Sequence, residues 1–269
     1  MNTNTTTIDT GVKSSAMGAL VNRVPHIILL YWVIKIASTT LGETGADMVS
    51  MTYDFGYGTT ILMFMGLFLV FLGIKLAIKR YEPVTYWLTF TATAIAGTAI
   101  SDYIDRTLGL GYAAGSALLV TLLLIVLLAW YVREKSINVE VITSTPSEVF
   151  YWLAFLIANT LGTAAGDFLA DNMALGFATS AALITGVLVA IALLHFYTKV
   201  SGTLLFWLAF VLTRPFGATF GVWLTKTHEK GGLDLGTVGA SLFFAVILIA
   251  AIYRETWVEK SGKAISELD

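Results

Sequence analysis

The chain has 269 residues, 57% of them apolar and 13% charged, with a formal net charge of −2 and a mean hydropathy of +0.79. A soluble domain carries about 25% charged residues, so the composition excludes an ordinary soluble globule and points to a polytopic membrane protein. No cysteine is present, which excludes disulfides, thiolate catalysis and Cys-ligated zinc; the charge balance argues against a nucleic-acid partner.

From Met1 to Asn22 the chain is polar and threonine-rich, without the basic start and apolar run of a cleaved signal peptide. It reads as a cytoplasmic tail, residues 1–24, with a short surface helix at Met17–Val24. Beyond it, hydropathy marks eight spans at about 26–47, 58–79, 84–102, 112–132, 149–167, 175–198, 202–224 and 236–254. Pro25, Pro83, Pro146 and Gly202 stand just ahead of the odd spans, where a helix start tolerates them. Residues 25–132 form one membrane half, 133–148 a cytoplasmic linker, 149–255 a second half and 256–269 a C-terminal tail.

One frame recurs four times. Trp32, Trp87, Trp152 and Trp207 each precede a glycine by ten residues, at Gly42, Gly97, Gly162 and Gly217. In the first three copies an aspartate follows that glycine by five (Asp47, Asp102, Asp167), and a second glycine follows the aspartate by nine (Gly56, Gly111, Gly176). Fixed spacings of this kind mark an internal repeat. Two spans per repeat return the chain to its starting side. The expected fold is therefore all-α, with eight transmembrane helices in four parallel two-helix pseudo-repeats, each a helical hairpin.

Lysine and arginine number eleven in the tails and even loops against three in the odd loops, Arg106, Lys226 and Lys230, of which Arg106 follows Asp102 by four as an opposite-charge pair. That bias predicts a bacterial inner membrane protein with both termini cytoplasmic, and places the acidic ends of the odd helices toward the outer side. The four tryptophans read first as an interfacial aromatic belt, and second as packing at the contact between hairpins. The repeated glycines read as sites of close helix approach. The second glycine of each frame reads as a helix restart.

Lys35, Thr39, Glu43 and Asp47 are spaced by four and form one polar stripe along the first helix. Charged groups at bilayer depth must face a protein interior or a wet cavity. Arg214 occupies the frame position of Thr39, Ala94 and Asn159 and precedes Pro215, which is expected to break the helix there. A buried arginine needs an acidic neighbour, and Glu43, Asp47, Asp102 and Asp167 are the candidates. If the repeats surround one axis, these four acids converge, with Lys35 and Arg214 as counter-charges and Thr39 and Asn159 as neutral oxygen donors. The balance is two negative charges, matched to one divalent cation or two protons. His26, His195 and His228 fall near span ends, so an oxygen-only metal site of Glu43, Asp47, Asp102 and Asp167 would suit a hard cation such as Mn. No enzyme constellation and no cofactor motif is present.

The run Lys35…Thr40-Leu41-Gly42-Glu43-Thr44…Asp47, the Gly56-Tyr57-Gly58 restart and the echo Asn159-Thr160-Leu161-Gly162-Thr163…Asp167 resemble a bacterial family of integral membrane proteins built from a repeat of unknown function. The resemblance spans roughly residues 25 to 255 and implies no assigned activity. The leading expectation is a secondary transporter of a small cation, a divalent metal such as Mn included, coupled to protons through intramembrane carboxylates. The alternatives are a non-transporting scaffold or sensor, and a transporter of a small organic solute. Expected partners are the bilayer, the cation and protons, with a homodimer as the assembly.

Overall fold

The computed structural model describes residues 22–137, 139 and 141–266. Among these residues the chain forms eight α-helices and no strand: α1 (Leu29–Asp47), α2 (Gly56–Ile78), α3 (Pro83–Asp102), α4 (Gly111–Glu134), α5 (Thr145–Asp167), α6 (Phe177–Tyr197), α7 (Gly202–Thr225) and α8 (Gly236–Ser266). Their starts follow local chemistry. Glu82 accepts hydrogen bonds from the Val84 and Thr85 amides with Pro83 at the first helical position, and Ser144 accepts from Ser147 ahead of α5. Gly56, Gly111 and Gly236 open α2, α4 and α8, and Gly176 stands just before α6. All four have φ between +64° and +73°, a conformation that excludes most side chains. The restart reading is thereby met. Most of the expected Met17–Val24 helix lies outside the described residues; its last three residues are not helical.

Six helices (α2 and α4 to α8) are apolar and long enough to cross a membrane; α1 and α3 are too polar to qualify. The packing explains why. Helices α1, α3, α5 and α7 form a closed ring, each touching the next and α7 returning to α1. The even helices lie outside it. Only 11–28% of the apolar windows of α2, α4, α6 and α8 are buried, against 56% for α5 and α7. An inner helix is solvated by protein, so it can carry the threonines of α3 or the charges of α1 without meeting lipid.

The hairpin packing expected within each repeat is not what forms. Helix α2 lies on α3, α4 on α5, α6 on α7, and α8 closes the circle against α1. Each even helix thus covers the following repeat. Its own odd helix is already flanked by two ring neighbours and the preceding even helix. A five-residue π turn follows each of the first three aspartates (Met48–Thr52, Tyr103–Thr107 and Phe168–Asn172), and there the chain leaves the ring.

Ring helices meet at the repeated glycines. A Cβ on Gly42 would stand 2.6 Å from that of Ala94; on Gly97, 3.0 Å from Asn159; on Gly162, 2.6 Å from Arg214; and on Gly217, 2.8 Å from Thr39. Each glycine therefore admits the residue three positions ahead of the next glycine, around the whole ring. Helix α7 runs unbroken through Pro215, contrary to expectation. The proline ring packs 3.2 Å from the would-be Cβ of Gly162, so a neighbouring helix supports the site.

The tryptophans pack between helices, Trp32 and Trp207 partly buried. Trp87 and Trp152 are fully buried with Tyr86 and Tyr151, and rings contact across helices at Tyr31–Trp87, Tyr86–Trp152 and Trp32–Phe206. The Tyr86 and Tyr151 hydroxyls bond at 2.5 Å. These aromatics join the N-terminal ends of the four ring helices into one apolar floor.

Candidate functional site

Every fourth residue of a ring helix keeps one face, so the frame stacks residues into successive layers along the axis. From the aromatic floor outward they are Tyr31, Tyr86, Tyr151 and Phe206; then Lys35, Phe90, Phe155 and Phe210; then Thr39, Ala94, Asn159 and Arg214; then Glu43, Thr98, Thr163 and Ala218; then Asp47, Asp102, Asp167 and Val222. Each step rises about 6 Å. The polar members of the last three layers are almost all under 9% exposed.

Arg214 occupies the third layer and reaches every ring helix. Its Nη1 donates to the Thr39 carbonyl at 3.0 Å, Nε to the Asn159 carbonyl at 3.1 Å, and Nη2 to the Ala94 carbonyl at 3.4 Å. Nη2 also donates to the Thr98 hydroxyl and, at 2.7 Å, to Thr163. Its acidic neighbour is Glu43, with Oε2 3.6 Å from Nη2. Glu43 Oε2 in turn accepts from Thr98 at 3.1 Å and Thr163 at 3.4 Å. Thr39 and Asn159 do supply neutral oxygens, but from the backbone. The Asn159 amide donates to Thr93 at 2.9 Å, and the Thr39 hydroxyl bonds back to Ile36.

Lys35 makes no direct contact with the acids. Its Nζ donates to the Phe210 carbonyl at 2.7 Å and lies 3.1 Å from the centre of the Phe210 ring. It is 2% exposed, so it does not snorkel to the surface. Lys35 stands one layer below Arg214, on the side away from the carboxylates.

At the other end the aspartates converge around an arginine that the sequence reading left in a loop. Arg106, in the second π turn, places Nη2 3.1 Å from Asp167 Oδ2 and Nε 3.2 Å from Asp102 Oδ1. Its Nε donates to the Tyr112 hydroxyl at 3.0 Å and Nη1 to the Tyr57 hydroxyl at 3.2 Å. Arg106 therefore covers the buried carboxylates at this end. Asp47 stands apart. It is 8% exposed, it has no hydrogen bond or ion pair among the described residues, and Glu43, Arg106, Asp167 and Lys226 are its charged neighbours. Asp167 Oδ1 is likewise buried without a hydrogen-bond partner. Lys226, the fourth-repeat counterpart of Arg106, lies 3.8 Å from the centre of the Phe177 ring.

The four carboxylates do not assemble as one metal site. Among the described residues no three Asp, Glu or His side chains form a group able to hold a metal ion. Glu43 sits a layer below the aspartates, tied to hydroxyls and Arg214, while Asp102 and Asp167 are drawn to Arg106. Tyr57, Tyr112 and the three axial phenylalanines are the residues missed in the sequence. A signal for them existed: Tyr57 and Tyr112 each follow a restart glycine, and the phenylalanines hold the frame position of Lys35.

The repeat has a counterpart among known families. The family model described as "Repeat of Unknown Function (DUF347)" matches residues 30–81, 85–136, 150–201 and 205–261. The chain belongs to this family. Each DUF347 match begins at the aromatic end of a ring helix and continues through its even helix. No curated protein and no solved structure matches the chain. The unit counted by DUF347 is thus one ring helix with the outer helix that covers the next repeat.

Proposed function

We propose that this DUF347 protein is a secondary transporter that moves a small cation across a bacterial inner membrane, coupled to protons, along the axis of its four-helix ring. In this reading all eight helices cross the bilayer, α1 and α3 sheltered within the ring, and both termini lie in the cytoplasm. The observation that carries the proposal is the charge balance of the axis. Glu43, Asp47, Asp102 and Asp167 share the axis with Lys35, Arg214 and Arg106, leaving a net of one negative charge along its length where the sequence, without Arg106, left two. Ionised side chains at bilayer depth cost at least about 2.5–3.5 kcal/mol each. Keeping so many on one axis, with Asp47 unpaired, suits a path in which one proton or one monovalent cation completes the balance.

Glu43 and Asp47 would carry the exchangeable proton or cation, Asp102 and Asp167 would receive it at the outer end, and Arg214 would keep the ring closed below. The aromatic layers from Phe210 to Tyr31 would form the closed cytoplasmic side. A second reading draws on the bonds of Arg214 to a backbone carbonyl of each of the other three ring helices: the axial charges would then only fix helix register in a membrane scaffold. Flux in proteoliposomes separates the two. A transporter carries cations against a proton gradient and loses that flux in Glu43→Gln and Asp47→Asn without losing its fold. Absence of flux for every cation offered, with the variants altered only in stability, leaves the scaffold.

A further inference from the structure

We infer that the outer end of the axis is a binding site for a guanidinium-type organic cation, and that Arg106 is its tethered occupant. The inference deepens the transport reading and rests on it for the passage of the cation; binding itself can be measured alone.

The acceptors around Arg106 match a planar fork of N–H donors. Tyr112, Tyr57 and Asp167 each accept one hydrogen bond, at 3.0, 3.2 and 3.1 Å, and Asp102 Oδ1 lies 3.2 Å from Nε. Flat, directional recognition of this kind distinguishes a guanidinium from a metal ion or a simple ammonium. The acceptors are built into helices: Tyr57 on α2, Tyr112 on α4, and Asp102 and Asp167 at the last turns of α3 and α5. Arg106 itself sits on the π turn Tyr103–Thr107, three residues before Gly109 at φ +72°. Its side chain is 37% exposed, against 2% and 1% for the carboxylates it covers, so the way out is toward the outer surface.

Arg106 does not exhaust the site. Asp47 is more than nine-tenths buried without a partner among the described residues, and Asp167 Oδ1 is buried without one. A free guanidinium offers one N–H more than an arginine side chain. Free of the tether, it can also shift across the same layer toward Asp47. A hard metal ion has no matching oxygen cage here, since no three acidic or histidine side chains group together among the described residues.

The test uses the full-length protein in detergent, titrated calorimetrically with millimolar guanidinium chloride, and with rubidium and tetramethylammonium as cations lacking N–H donors. The site predicts guanidinium binding to the wild type that is lost in Asp167→Asn. Arg106→Ala removes the competing tether and tightens guanidinium about tenfold if the tethered state holds about nine-tenths of the population. Rubidium gains much less. Equal gains for guanidinium and rubidium mean a bare negative pocket and overturn the inference, as does absence of guanidinium binding in both wild type and Arg106→Ala. If Arg106→Ala does not fold, the wild type decides alone: guanidinium must raise its melting temperature above rubidium at equal ionic strength, and no difference overturns the inference. Proteoliposomes that move another cation while guanidinium neither binds nor moves sink this inference and leave the transporter standing. Guanidinium binding without flux of any cation does the reverse.

Discussion

Gly217 of α7 lies against Thr39 of α1, so close that a Cβ on the glycine would stand 2.6 Å from the threonine Oγ1. This contact closes the ring, because it joins the last repeat to the first by the geometry that joins Gly42 to Ala94 and Gly97 to Asn159. It also sets the carbonyl of Thr39 within reach of Arg214, three residues before Gly217 on the same helix.

Substituting the ring glycines should therefore destabilise the fold, whereas glycines facing open space should tolerate change. Gly97→Val and Gly217→Val force a side chain into facing backbone or side-chain atoms, at about 1–3 kcal/mol each. Gly66 and Gly186, mid-helix with nothing within 4 Å, should accept alanine neutrally or gain about 0.5–1 kcal/mol from helix propensity. Melting temperatures in detergent decide. Equal losses at all four positions would mean that close approach is not what the frame glycines provide.

Arg214 and Glu43 should behave as a coupled pair. Arg214→Met leaves Glu43 buried with two hydroxyl donors and no cation, and should cost about 3–5 kcal/mol. Adding Glu43→Gln removes the stranded charge, so the double variant should be more stable than Arg214→Met alone. A double-mutant cycle reads the coupling directly. Additive losses would show that the carbonyls, rather than Glu43, supply the arginine's partner energy.

This pair also marks how far the sequence could be read. The frame spacing revealed four repeats, the burial of Glu43, Asp47, Asp102 and Asp167, and the helix ends to within a few residues except that of α8, which runs on to Ser266 through the expected tail, because period and hydropathy are local properties. It could not reveal that α2 packs on α3, since nothing in either helix names its neighbour. It placed Arg106 with Asp102 alone because they are four residues apart, while the bridge to Asp167 exists only once α3 and α5 are side by side. The packing of the tryptophans was only the second reading for the same reason. An aromatic near a helix start looks interfacial until another helix start arrives beside it.

A second buried charge cluster lies at the aromatic end. Glu148 accepts from Arg23 at 2.8 Å and from Lys75 at 3.0 Å, with all three buried, and Lys75 also donates to the Arg80 carbonyl. It pins the segment before α1, whose Arg23 amide bonds to Ile142 at 2.9 Å, next to the pocket lined by Val24, Pro25, Tyr31 and Val139. Glu148→Ala strands two cations and should cost about 3–5 kcal/mol. Glu148→Ala with Lys75→Met should cost less than the sum of the single changes. Thermal melts of the four proteins test this; strict additivity would mean that the three groups are not one network.

Membrane topology can be read without background labelling, because the natural chain contains no cysteine. Arg80 and Lys199 lie exposed between an even helix and the next odd one, whereas Leu108, Met173 and Glu229 lie exposed between an odd helix and its successor. With eight crossings and cytoplasmic termini, cysteines at Leu108, Met173 and Glu229 react with an impermeant maleimide added to intact cells. Cysteines at Arg80 and Lys199 react only after the membrane is opened. If only the six more apolar helices crossed, α1 and α3 would return the chain to the side they left. Arg80→Cys and Leu108→Cys would then label from the same side. That pattern would place the carboxylates of α1 and α3 on a surface, and with it end the case for a path along the ring axis.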